Sequence, residues 1–151
     1  MFNKETIMDS KKRVVIGVSG ASGSLLGLEC LKCLREAGAE SHLVMSRGAE
    51  ITAKQELGMD FDEFVSYADV VYDNRNIGAS IASGTFPIDG MVVAPCSMKT
   101  LAGIACGYSD NLLLRAADGA LRLKATDLDM EVTDLLAADV AQPGATTVPA
   151  H

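Results

Sequence analysis

The chain has 151 residues, 48% of them hydrophobic and 22% charged, which suits one globular domain with its own core. A net charge of −7, with no Lys/Arg cluster interleaved with aromatics, argues against a nucleic-acid partner. Residues 1–12 are polar and lack the apolar stretch of a signal peptide, and no apolar run is long enough to span a bilayer, so a cytoplasmic protein with no membrane partner is predicted, behind a flexible leader at 1–12.

From Arg13 to Val18 an apolar, β-branched run meets the turn Ser19-Gly20-Ala21-Ser22-Gly23, and a helical pattern follows from Leu25. This predicts a strand feeding a helix N-terminus, where glycines let the backbone approach a ligand and the free N–H groups and helix dipole favour an anion. The alternative is a tight turn with no ligand. No Gly-Lys-Ser/Thr follows Gly20, and the spacing Gly20-x-x-Gly23-x-x-x-Gly27 departs from the dinucleotide fingerprint.

The first helix is expected from about Ser22 to Ala37, closed by Gly38, with Leu25, Leu28, Leu31 and Leu34 near helical spacing. A second strand, 40–46, ends in Ser46 where a dinucleotide fold usually places an acid; a hydroxyl better suits a mononucleotide phosphate or a ribityl chain. A helix near 48–57 stops at Gly58, and 59–68 is a short helix or a loop. Residues 69–73 read as a short strand, and the small, polar stretch 74–87 as a covering loop. Gly90 to Pro95 is a buried strand, Ser97 opens a helix to about Cys106, and Asn111 to Arg122 is another.

Strands that alternate with helices predict an α/β class: a Rossmann-like three-layer domain over 13–122 with a mainly parallel sheet, the strands near 13–19, 40–46 and 90–94 adjacent. Ligands in such sheets sit at the carboxyl ends of the strands, which puts Ser19–Ser22, Ser46 and Cys96–Thr100 on one rim. Pro95-Cys96-Ser97-Met98-Lys99-Thr100 offers two hydroxyls, a cation and backbone N–H groups to an anionic or polar ligand. Its alternative is an N-cap serine beside a solvated lysine.

The four cysteines stand at 30, 33, 96 and 106. Cys30-x-x-Cys33 falls inside the first helix rather than at its N-terminus, where the dipole would lower a thiol pKa. With two histidines, His42 and His151, no zinc pattern emerges, so no metal is expected and the cysteines read as buried small hydrophobes.

Val18-Ser19-Gly20-Ala21-Ser22-Gly23, His42-Leu43-Val44-Met45-Ser46, Ala79-Ser80-Ile81-Ala82-Ser83-Gly84-Thr85-Phe86, Pro95-Cys96-Ser97-Met98-Lys99-Thr100-Leu101-Ala102-Gly103-Ile104 and Asp110-Asn111-Leu112-Leu113-Leu114-Arg115-Ala116-Ala117-Asp118 together resemble the flavin prenyltransferases, formerly known as aromatic acid decarboxylases or as one component of the phenolic acid decarboxylases. The resemblance spans about residues 12–122. Related cysteine decarboxylases of the same fold carry a Pro-x-Met-Asn-type loop instead of Pro95–Thr100. The resemblance implies a metal-free reaction in which reduced FMN is alkylated at N5 by dimethylallyl monophosphate and a second bond at C6 closes a fourth ring. The product serves a partner decarboxylase of unsaturated or aromatic acids, and the enzyme is expected to be a homo-oligomer. By motif position Gly20, Ala21, Ser22, Ser46, Ser97, Met98, Lys99 and Thr100 would hold FMN, and Ser22 would relay a proton near flavin N5. Glu56 matches an acidic position near the active site, and Ser22 and Glu56 are the implied catalytic pair. Glu56 also reads, from the sequence alone, as an exposed helix glutamate.

Arg122 stands where the family has a lysine that contacts the substrate phosphate. Beyond it the family pattern stops, pointing to a chain truncated or frameshifted after about residue 122, with C-terminal strands missing and prenyl transfer poor. A non-catalytic FMN-binding module or an inactive fragment is the alternative. Residues 123–151 hold one Lys and five acids, an atypical acidic tail. Thr126-Asp127-Leu128-Asp129 resembles a capping box, and Leu128, Val132, Leu135 and Leu136 share one helical face; disorder is the competing reading.

Overall fold

The computed structural model describes residues 11–117, 123–127 and 130–134. Strand β1 (Arg13–Val18) is followed by helix α1 (Ser24–Glu36), strand β2 (Glu40–Met45), helix α2 (Arg47–Leu57), the short helix α3 (Phe61–Val65) and strand β3 (Val70–Asp73). A single 3-10 turn, Ser80–Ala82, interrupts the covering loop before β4 (Gly90–Val93), α4 (Met98–Ala105) and α5 (Leu112–Ala117). The first four strands form one sheet in the order β3-β2-β1-β4, all parallel, with Val15 level with His42 on one side and Met91 on the other. The expected adjacency of the three longer apolar runs is borne out.

Alternation along each strand divides the core. Ile16, Val18, Leu43 and Met45 face α1, α2 and α3, where Leu28, Leu31, Ala49, Ala53 and Phe64 close the layer. Val15, Val44 and Met91 face α5 and the 3-10 turn through Leu112, Leu113, Leu114 and Ile81. The result is three layers around a parallel sheet.

Two glycines are required by close approach rather than by turns. A Cβ on Gly27 would stand 2.7 Å from the Ala94 carbonyl oxygen and 3.0 Å from Val18 Cγ2, so only glycine lets α1 lie this close to β1 and the end of β4. A Cβ on Gly20 would meet the Gly48 backbone at 3.0 Å, which brings the β1–α1 turn against the start of α2.

Three expectations are corrected. Helix α1 begins at Ser24, not Ser22, because Gly23 takes a left-handed conformation (φ 98) as its N-cap. The cysteines are not uniformly buried: Cys33 and Cys106 are exposed, Cys30 and Cys96 are half-buried, and none of the four is in a disulfide. In the tail, β5 (Leu123–Asp127) pairs antiparallel with β6 (Met130–Asp134) as a separate two-stranded sheet, with Ala125 opposite Val132, instead of the helix or disorder expected there. The polar–apolar alternation of Leu123-Lys124-Ala125-Thr126 and Met130-Glu131-Val132-Thr133 outweighs the helical spacing. Arg122 and the rest of the leader and tail lie outside the described residues. Among the described residues no helix is long and apolar enough to cross a membrane.

Candidate functional site

Because the sheet is parallel, β1, β2, β3 and β4 all release their chains on one edge. Strand order reverses between β1 and β4: the chain runs from β1 outward through β2 and β3, then returns to the other side of β1. A crevice at such a switch point is where open α/β sheets bind ligands.

Helices α1, α2 and α4 begin on this edge. Ser46 caps α2, its Oγ accepting the Ala49 N–H at 3.1 Å, while its own N–H donates to the Val18 carbonyl at 2.9 Å and ties the cap to the end of β1. Ser97 caps α4 in the same manner: its Oγ accepts the Thr100 N–H at 3.3 Å and donates to Thr100 Oγ1 at 3.0 Å. The N–H groups of Met98 and Lys99 precede the helix ladder and stay directed out of the helix end. Lys99 is exposed, and Met98 is 77% exposed, an apolar side chain standing open at the edge of a polar site.

At α1 the expectation of an open anion site needs correction. The carboxylate of Glu56, near the end of α2, occupies it. Ser24 N–H donates to Glu56 Oε2 at 2.8 Å, and Gly23 N–H is shared between Oε1 and Oε2 at 3.1 Å each. The helix N-terminus does favour an anion, and the protein supplies its own. The Ser24 N–H chiefly, with the Gly23 N–H and the Ser22 hydroxyl adding to it, holds the Glu56 carboxyl below the usual carboxylate range. Glu56 is therefore exposed yet engaged, so the reading of a merely solvated helix glutamate does not hold.

Gly20, Ala21, Ser22, Ser46 and Glu56 thus gather around the starts of α1 and α2, and Ser97, Met98, Lys99 and Thr100 around the start of α4. Ser19 joins the two groups. It is fully buried, and its hydroxyl donates to the Pro95 carbonyl at 2.8 Å and accepts the Ser97 N–H at 2.6 Å. Sequence reasoning placed Ser19 on the rim without giving it a role; a small polar residue closing an apolar strand was the available signal. It also missed Asn74, just past β3, whose carbonyl and Oδ1 accept the Leu112 and Leu113 N–H groups at 2.9 Å each and fix the start of α5. Cys96 is half-buried beside Ser97, and burial pushes its thiol pKa up, away from a reactive thiolate. Among the described residues no cluster of three His, Cys, Asp or Glu side chains is placed to hold a metal.

The sequence matches the Flavoprotein family model over residues 3–126. It is 54% identical over 111 residues to a probable UbiX-like flavin prenyltransferase of Sedimentibacter hydroxybenzoicus, covering 73% of this chain and 59% of the relative. The chain accordingly spans about 59% of the length of that curated relative. In structure it is similar to AnUbiX (PadA1), solved in complex with FMN and dimethylallyl pyrophosphate: TM-score 0.71 and 44% identity, over 72% of this chain and 57% of the other. It is also similar to a dodecameric FMN-dependent UbiX-like decarboxylase from Escherichia coli O157:H7: TM-score 0.69 and 45% identity, over 70% of this chain and 58% of the other.

Proposed function

The chain belongs to the flavoprotein family, and on that premise we propose that it binds FMN on this rim and acts as a flavin prenyltransferase with dimethylallyl monophosphate as donor. The observation that carries the proposal is the junction of two hydroxyl-bearing helix starts, Ser46 and Ser97–Thr100, at the switch point of a parallel sheet. The likeness to a structure holding FMN and dimethylallyl pyrophosphate supports it.

The donor set suits FMN. Ser46, Ser97 and Thr100 hydroxyls, the first N–H groups of α4 and the Lys99 ammonium suit a phosphate and a ribityl chain. Since Glu56 engages the Gly23 and Ser24 N–H groups, the start of α1 serves the flavin in another way. Gly20 and Ala21 offer close backbone approach, and Ser22 carries a proton beside the reacting flavin. Ionised Glu56 is the partner of Ser22 in that transfer. Met98 supplies apolar surface for the flavin ring. Reduced FMN, when bound, supplies the nucleophile to which the dimethylallyl group is joined. Arg122, assigned to the substrate phosphate, lies outside the described residues.

The product is passed to a partner decarboxylase of phenolic or aromatic acids, and the protein assembles as a homo-oligomer, a reading supported by the dodecameric relative. Four cysteines outside any disulfide suit a reducing compartment, and we place the protein in the cytoplasm.

The test is anaerobic incubation of the purified chain with reduced FMN and dimethylallyl monophosphate, followed by mass spectrometry. Prenylated FMN supports the enzyme. Bound FMN with no product selects a non-catalytic flavin-binding module, and no bound flavin overturns both readings.

A further inference from the structure

The two halves of the rim are separate in sequence, and regular sheet pairing does not carry far enough to hold them together. Between β1 and β4 the backbone ladder runs through the Ala94 N–H to the Gly17 carbonyl at 2.9 Å and ends with the Ser19 N–H to the Pro95 carbonyl at 3.1 Å. Past that bond the Ser97 N–H goes to a side chain rather than to the β1 backbone. Beyond it the chains part toward α1 and α4.

The Ser19 side chain extends the ladder by one step. Its hydroxyl donates to the Pro95 carbonyl at 2.8 Å and accepts from the Ser97 N–H at 2.6 Å, so it uses both its donor and an acceptor while fully buried. The N–H it holds belongs to the residue whose side chain caps α4. The next residue after Ser19 is Gly20, pressed against Gly48 at the start of α2. One hydroxyl therefore fixes the start of α4 against the turn that leads to Ser22, and does so from beneath, out of a ligand's reach.

We propose that Ser19 is the positioning residue of the flavin site, setting the Ser97–Thr100 end relative to Gly20–Ser22. The inference rests on the flavin-binding reading of the same rim. A residue that merely filled space here would need volume alone. The hydrogen-bond pattern instead makes the hydroxyl specific, since removing it leaves the Ser97 N–H without its acceptor in a part-buried site.

The experiment is FMN titration of the wild-type chain, Ser19→Ala, Ser97→Ala and the double variant, with thermal unfolding of each in the absence of flavin. Ser19→Ala is expected to weaken FMN binding by about tenfold, on the order of one lost hydrogen bond. It should also alter the visible circular dichroism of FMN at saturation, a signal of ring placement that overall stability does not set. Its loss and that of Ser97→Ala should not multiply in the double variant, because once Ser97 is displaced its own contact is already gone. Affinity and dichroism at the wild-type level in Ser19→Ala, or losses that multiply, overturn the proposal. Should Ser19→Ala fail to fold, Ser19→Cys, similar in volume and a weak hydrogen-bonding group, enters the same cycle with the same expectations. Failure of the wild-type chain to bind FMN would instead sink the flavin reading itself.

Discussion

The Glu56 carboxylate closes the N-terminus of α1 from another helix, taking the Ser24 N–H at 2.8 Å across 32 positions of sequence. That contact ties α2 to α1 directly beside Ser22 and holds Glu56 ionised. Because the folded-state pKa is lowered, the stabilisation is present above the unfolded carboxylate value and is lost as pH falls through the folded one. Glu56→Gln should therefore unfold at a lower temperature than the wild type near neutral pH. The gap should close as pH drops below about 4, where an unperturbed Glu is largely protonated. Paired melting curves from about pH 7 to about pH 3 check this, and a gap that stays constant with pH would refute the charge-based account.

Ser46 has two roles that substitution can separate. It caps α2, and the proposed function also gives it to FMN. Ser46→Ala should lose about 1 kcal/mol of stability from the cap and about 1 kcal/mol of FMN affinity. Ser46→Asp keeps a capping oxygen but adds a negative charge to a rim proposed to hold an anionic ligand, so it should melt near the wild type while binding FMN more weakly than the alanine variant. Melting curves with flavin fluorescence titration decide it. Wild-type affinity in both variants would remove Ser46 from the site.

The tight crossing of α1 over the sheet gives a third test. Gly27→Ala introduces a Cβ 2.7 Å from a backbone carbonyl that cannot move as a flexible side chain would. A cost of about 1–3 kcal/mol is expected. Gly20→Ala meets backbone at 3.0 Å in the exposed turn, and should reduce FMN affinity more than stability because the β1–α1 turn is displaced from α2. Chemical denaturation of both variants with FMN titration distinguishes core packing from turn placement; equal effects on both quantities would contradict this division.

Much of this arrangement is legible in the sequence because its signals are local. The β-branched run Arg13–Val18 ending in a glycine turn, and serines at 46 and 97 ahead of helical patterns, each state their structure within a few residues. The contacts that complete the site are not local. Nothing near Glu56 says that it reaches Gly23 and Ser24, since the reach depends on how α2 packs against α1. Ser19 reads as one more small residue of a turn until β4 is placed beside β1. In the tail two periodicities overlap, and Val132 fits both; the strand pairing with Ala125 prevails.

On the proposed function, Lys99 bears on which flavin the rim would select. It stands exposed in the first turn of α4, one residue past Met98 and between the hydrogen-bonded Ser97 and Thr100. A phosphate at this helix start would meet N–H groups, two hydroxyls and the ammonium together, whereas riboflavin offers only its ribityl hydroxyls. Charge-assisted hydrogen bonds contribute about 1.5–3 kcal/mol each, so FMN should bind at least about tenfold tighter than riboflavin. Lys99→Ala should narrow that ratio by weakening FMN binding while leaving riboflavin binding unchanged. Because the ammonium is exposed, added salt should narrow it in the wild type as well, and less so in the variant. Parallel titrations of both flavins at low and high salt measure all three effects. Equal affinity for FMN and riboflavin in the wild type would show that the start of α4 does not hold the phosphate.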